Sequence, residues 1–151
     1  MPREIIESYL ADRDVRHERI SDADWAVQLH GEKKLSITVL LALRERTLQI
    51  ESFFIRRPAE NHAGVYGMLL RANMRIYGVR FAIDDIGDVF LVGRVPLDAV
   101  NEDELDRIFG AILTTSDGMF MPAIEVGFAS YLERDMAWRA AQKFSQPAAP
   151  E

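Results

Sequence analysis

The chain contains no cysteine among its 151 residues. That absence excludes disulfide staples, thiolate nucleophiles and cysteine-bound zinc or iron–sulfur centres together. Histidine is scarce as well, with three in all. His17, His30 and His62 stand apart from one another, and neither H-E-x-x-H nor a related ligand pattern occurs. No G-x-G-x-x-G, G-x-x-x-x-G-K-[ST] or G-x-S-x-G sequence is present. Gly31-Glu32-Lys33-Lys34 has the wrong spacing for a phosphate loop. No cofactor or metal is expected, and the chain reads as a non-enzyme.

Long apolar runs are missing too. The longest, Leu35 to Leu43, is broken by Ser36 and Thr38 and is about half of what spans a bilayer. The first residues, Met1 to Glu7, include acids and lack the apolar centre of a secretory signal. A cytoplasmic protein with no membrane partner is therefore expected. Basic residues are in deficit: 18 Lys and Arg against 24 Asp and Glu give a net charge of −6. That balance argues against a nucleic-acid partner, because phosphate backbones are held by an excess of cations.

What is present is the composition of a folded domain, 48% hydrophobic and 28% charged. The length suits one domain, expected over residues 1–144 with a frayed Pro- and Ala-containing tail at 145–151. Pro2 to about Arg13 reads as a helix with Ile5, Ile6, Tyr9 and Leu10 on one face. Alternation then takes over. Trp25, Val27 and Leu29 mark one strand, and Leu35, Ile37, Val39, Leu41 and Leu43 a second. Leu48, Ile50 and Phe54 mark a third, whose other side carries Gln49, Glu51, Phe53 and Ile55.

After Arg56-Arg57-Pro58 a helix is expected from about Ala59 to Tyr77, ended by Gly78. Val79-Phe81-Ile83 and Val89-Leu91 form a hairpin across Asp84-Asp85-Ile86-Gly87-Asp88. Asn101 and Glu104 fit a capping box and Val100 with Leu105 a hydrophobic staple, opening a helix with Leu105, Ile108, Phe109 and Ile112 inward. A last helix is expected from about Met121 to Lys143, with Ile124, Phe128, Tyr131 and Leu132 inward. The order α-βββ-α-ββ-α-α is an α+β fold, a mostly antiparallel sheet of about five strands with helices packed against it.

Two groups of residues are candidate sites. Arg56 and Arg57, followed by Glu60 and Asn61, offer paired guanidinium groups for a carboxylate or phosphate. The ordinary alternative is that they hold the strand–helix junction through local hydrogen bonds. If the third strand runs up the sheet and the next helix runs down, this cluster meets the hairpin loop with Asp84 and Asp88 at one end. Those acids fit a turn better than a calcium site, because the EF-hand pattern is not met. The second group is apolar. Phe53, Ile55, Phe90 and Val92, with Tyr66 and Leu70 of the second helix, are a candidate dimer or partner surface. An apolar patch of more than a few hundred Å² is seldom left uncovered on a monomer, so a homodimer is expected. Trp25 and Trp138 read as apolar anchors for core or interface packing.

The stretch Ser52-Phe53-Phe54-Ile55-Arg56-Arg57-Pro58-Ala59-Glu60-Asn61-His62 is similar to the YbjN family. So are Val65-Tyr66 with Leu69 to Asn73, Tyr77 to Ala82, Gly87-Asp88-Val89 and Gly93 to Leu97. The resemblance implies a bacterial sensory-transduction regulator whose fold is like that of the type III secretion chaperones. Those are small acidic α+β proteins that often dimerise and bind extended segments of a partner. It brings no catalytic residues. The expected function is a non-enzymatic regulatory or chaperone-like protein that binds a protein partner. The alternative is a small-molecule or anion sensor using Arg56 and Arg57.

Overall fold

The structure, a computed structural model, describes residues 1–145. Its elements are α1 (Pro2–Asp12), β1 (His17–Arg19), β2 (Asp24–Leu29), β3 (Ile37–Leu43), β4 (Thr47–Ile55), α2 (His62–Ala72), β5 (Arg80–Ile83), β6 (Val89–Pro96), α3 (Glu102–Gly127) and α4 (Ala129–Ser145). The expected tail lies outside the described residues except for Ser145, which ends α4.

The strands form one sheet in the order β1-β2-β3-β4-β6-β5, antiparallel at every step. The α+β class and the antiparallel sheet are as expected. The sheet has six strands and not five, because His17–Arg19 adds a short edge to β2. Three exposed polar residues carry no alternation that would betray a strand. Because β6 lies between β4 and β5 and opposes both, β4 and β5 run in the same direction.

One face of the sheet is the core. Trp25, Val27, Ile37, Val39, Leu41, Leu48, Ile50, Phe54, Val89 and Leu91 are all at most 2% exposed. They meet Ile6 and Leu10 of α1, Val65 and Leu69 of α2, and Leu105, Ile108 and Ile112 of α3. At about 1.5–3 kcal/mol for each large side chain buried, this face supplies the main drive for folding.

Three boundaries differ from expectation. β3 begins at Ile37, and Leu35 is exposed, because the loop before it is fastened to α3. Asp117 Oδ1 accepts the backbone N–H groups of Lys33 at 2.6 Å and Lys34 at 3.0 Å. α2 is 11 residues long and starts at His62, after Asn61 takes a left-handed conformation (φ 51°) that no helix continues through. It stops at Ala72 because the Asn73 carboxamide turns to the sheet. The third difference is at Pro122, which does not end a helix. α3 passes through it and breaks only at Phe128. Proline removes one intrahelical hydrogen bond, yet Ala123, Gly127 and Phe128 prolong the buried stripe and hold the helix on the core. Gly127 lies against Val65 and Pro58, where a Cβ would come within 2.8 Å of Val65 Cγ2. Glu60 N–H donates to the Gly127 carbonyl at 3.1 Å.

The N-terminus of α3 follows the capping pattern only halfway. Asn101 Oδ1 accepts Glu104 N–H at 2.8 Å. The Glu104 carboxylate accepts the Tyr77 hydroxyl at 2.7 and 2.8 Å instead of reaching back to Asn101. That bond, with burial, raises the Tyr77 pKa above its ordinary value.

Candidate partner-binding surface and polar junction

The two runs that sequence reasoning placed at one end of the sheet do meet there. Arg57 donates its backbone N–H to Asp88 Oδ1 at 2.7 Å. Asp84 Oδ1 in turn accepts the N–H groups of Ile86 at 3.1 Å and Asp88 at 2.9 Å, which shapes the hairpin. Gly87, at φ +93°, lies beneath Arg57 and Tyr66, and a Cβ there would come within 3.0 Å of both side chains. Only glycine suits that position. The Tyr66 hydroxyl closes the junction by donating to the Gly87 carbonyl at 2.9 Å.

The other junction residues are engaged with helices. Glu60 receives Ser130 N–H at 2.7 Å and the Ser130 hydroxyl at 3.1 Å, so it caps the start of α4 from a distant loop. The exposed Asn61 supplies the left-handed entry into α2. Arg56 places its guanidinium carbon 4.6 Å from the centroid of the Phe128 ring. Among the described residues neither the Arg56 nor the Arg57 guanidinium is paired with a carboxylate.

Among the described residues no helix covers the centre of the sheet's outer face. Leu40 (42% exposed) and Phe53 (45%) stand on it, with Phe90 and Val92 half-buried beside them. Cross-strand partners Phe53 and Phe90 meet edge to face at 5.6 Å. Next to them is a shallow depression of about 730 Å³ whose walls include Leu40, Ala42, Val92, Gln49, Glu51 and Arg94. Its rim is polar. Arg44 pairs with Asp24 at 3.0 Å. A hydrogen bond from Ser21, followed by Arg44, holds the Asp24 carboxyl below the usual carboxylate range.

One expected surface residue, Ile55, and two residues expected to pack, Trp138 and Tyr131, need correction. Ile55 is 3% exposed and belongs to the core. The register shifts between Phe53 and Ile55, so Phe54 and Ile55 both turn inward. Trp138, expected in core or interface packing, is 61% exposed on α4 and so is no core residue, and Tyr131, expected inward, is 56% exposed. Leu70 is exposed on α2 beside Ile83 of β5, at a small cleft of about 130 Å³. Tyr66 is half-buried and its hydroxyl is already bonded.

Some contacts that shape the molecule carried no signal in the sequence. Asn73 bonds both backbone groups of Phe81, accepting its N–H at 2.7 Å and donating to its carbonyl at 3.2 Å. At Phe81 the free edge of β5 is thereby occupied by a side chain. Tyr9 donates to Asp106 at 2.9 Å and stacks on Phe109 at 5.7 Å. Burial and the Asp106 bond push its pKa up to about 12, so it remains a protonated donor. Among the described residues no three His, Asp or Glu side chains converge in a metal-binding arrangement, and no helix is long and apolar enough to cross a membrane.

The YbjN family model, described as "Putative bacterial sensory transduction regulator", matches residues 2–125. α4 lies beyond the matched residues. An uncharacterized protein of Mycobacterium tuberculosis is 43% identical over 113 residues, and one of Mycobacterium leprae is 39% identical over 113 residues. The match takes in 75% of this chain and about 62% of the length of these relatives. Among solved structures, a chain of the heterodimeric ExoU–SpcU complex from the type III secretion system of Pseudomonas aeruginosa superposes with a TM-score of 0.60 at 20% identity, covering 78% of this chain and 96% of that one. The Yersinia pestis type III secretion chaperone SycH, in complex with a fragment of YscM2, gives a TM-score of 0.52 at 13% identity, covering 77% and 97%. The fold is shared with a chain of each of these complexes.

Proposed function

The chain belongs to the YbjN family, and from that premise we propose that it is a non-catalytic regulatory or chaperone-like protein that holds a segment of a partner protein against the outer face of its sheet. The observation that carries this reading is the one-sided cover of the sheet. The inner face is sealed by α1, α2 and α3, whereas Leu40, Phe53, Phe90 and Val92 remain at least partly open on the outer face. Apolar side chains set in a polar rim are how proteins mark interaction sites. The fold is shared with chains found in complexes with other proteins. The segment lies on the face and not along an edge, because Asn73 occupies the edge of the short strand β5 at Phe81 and β1 is three residues long.

The experiment is a quantitative pull-down from native lysate with the unaltered protein and a Leu40→Glu/Phe53→Glu variant. A stoichiometric protein captured by the former and lost with the latter, at unchanged melting temperature, is the expected result. Equal capture by both refutes the assignment of the face.

A second reading, the anion sensor, is supported by one observation: Arg56 and Arg57 have no carboxylate partner among the described residues. Its test is thermal stabilisation by inorganic phosphate, lost in an Arg56→Met/Arg57→Met variant.

A further inference from the structure

At the junction end of β4 the inward turn of Ile55 and the break at Phe128 leave a cleft between strand and helices. Its volume is about 380 Å³, and its walls include Phe53, Ile55, Phe120, Ile124, Phe128 and Leu132. Lys34 and Arg56 are the charged residues that line it. Each stands over an aromatic ring: Lys34 Nζ is 5.3 Å from the Phe120 centroid, and Arg56 Cζ is 4.6 Å from that of Phe128. Ring faces hold cations weakly and leave their outer sides available to an anion.

Among the described residues no carboxylate forms an ion pair with either cation. Asp117, which approaches the Lys34 loop, gives its Oδ1 to backbone N–H groups. Lys34 is half-buried, and burial lowers its pKa from the ordinary value. A partly desolvated ammonium without a counter-charge is costly to a folded protein, and an arriving anion relieves that cost.

We propose that this cleft binds a small amphiphilic carboxylate, with its apolar body among the phenylalanines and its carboxylate at the rim shared by Lys34 and Arg56. An apolar cleft alone would accept any hydrocarbon. Among the described residues two unneutralised cations and no acid line this cleft, which selects for an anion and against a cation. The volume lies near the lower end of the range for small-molecule sites, roughly 300–1,000 Å³, which fits a medium-chain or aryl-alkyl acid. The site adjoins the partner segment on the outer face, with Phe53 bordering both, but it takes a different occupant. It also differs from the anion sensor, since Lys34 takes the place of Arg57 and the anion carries an apolar body.

Titration calorimetry on the full chain, with decanoate, decanol, decylammonium and inorganic phosphate below their aggregation limits, tests this. Decanoate is expected to bind at one equivalent and decanol roughly 10-fold or more weakly, with no saturable heat from decylammonium or phosphate. Lys34→Met and Arg56→Met should each weaken decanoate about 10-fold while leaving decanol unchanged. Ile124→Trp, which fills the cleft and keeps both charges, should abolish decanoate binding. Decanol binding as tightly as decanoate overturns the proposal, as does a stoichiometry well above one or an absence of decanoate binding. Saturation by phosphate alone overturns it in favour of the Arg56–Arg57 sensor. Should a variant fail to fold, the four-ligand comparison on the unaltered protein decides the matter.

Discussion

Asn73 shows how one side chain can settle where a partner binds. An edge strand leaves alternate N–H and C=O groups unpaired, and these recruit other strands. At Phe81, a buried residue, both groups are taken by the Asn73 carboxamide. Asn73→Leu keeps the size and removes both bonds. The expected cost is about 1–3 kcal/mol, together with concentration-dependent association through β5, read by denaturant melts and by light scattering. Unchanged stability and a clean monomodal species would show that the carboxamide does not guard the edge.

Asp117 gives a test in pH. Its carboxyl is held below its ordinary value of 3.8 by the backbone N–H groups of Lys33 and Lys34. A depressed carboxylate contributes stability that is complete above that ordinary value and is lost as pH falls through the lower folded value. Asp117→Ala should therefore melt lower at neutral pH. It should also lose less stability than the parent as pH falls below about 4. Parallel pH profiles for the two proteins would contradict this role.

The legibility of the sequence also varied residue by residue. Phe53, Phe90 and Val92 were assigned to the second face because strict alternation puts them there. Ile55 broke the rule at a bulge, where one inserted residue reverses everything after it. Asn73, Lys34 and Asp117 act through contacts to residues distant in the chain or brought near by a turn, and no local pattern announces such a contact.

Elements with a continuous period, β2, β3, β4 and the first half of α3, were legible because burial on one side writes itself into the spacing of apolar residues. The boundary between α3 and α4 was not, because it is set from outside. Loop residue Glu60 accepts from Ser130 N–H and its hydroxyl, and its own N–H bonds the Gly127 carbonyl. A proline looks like the stronger breaker, but packing of Ala123 and Phe128 overrides it. Glu60→Ala should release the start of α4 at a cost of roughly 1 kcal/mol, the usual worth of an N-terminal cap. Faster amide exchange confined to residues 129–135, with the sheet unaffected, is the expected signature. Faster exchange throughout the sheet would mean that Glu60 supports the whole fold instead.

For the whole molecule, the main fact is asymmetry: one face of a six-stranded sheet is sealed and the other is open. Two occupants compete for the open face in our account, a partner segment and a second copy of this chain, the homodimer expected from composition and patterning. The sealed face supplies stability, so substitutions on the open face should change binding with little effect on melting.

Site-specific photo-crosslinking in the native cell separates the possibilities directly, with a benzophenone side chain at position 53 and a control at position 133 on α4. Adducts at position 53 that contain a different protein, absent from the control and lost when Leu40→Glu is added, are the predicted result. Adducts containing only a second copy of the chain, or the same partner crosslinked equally from position 133, would contradict the assignment of the open face to a partner segment.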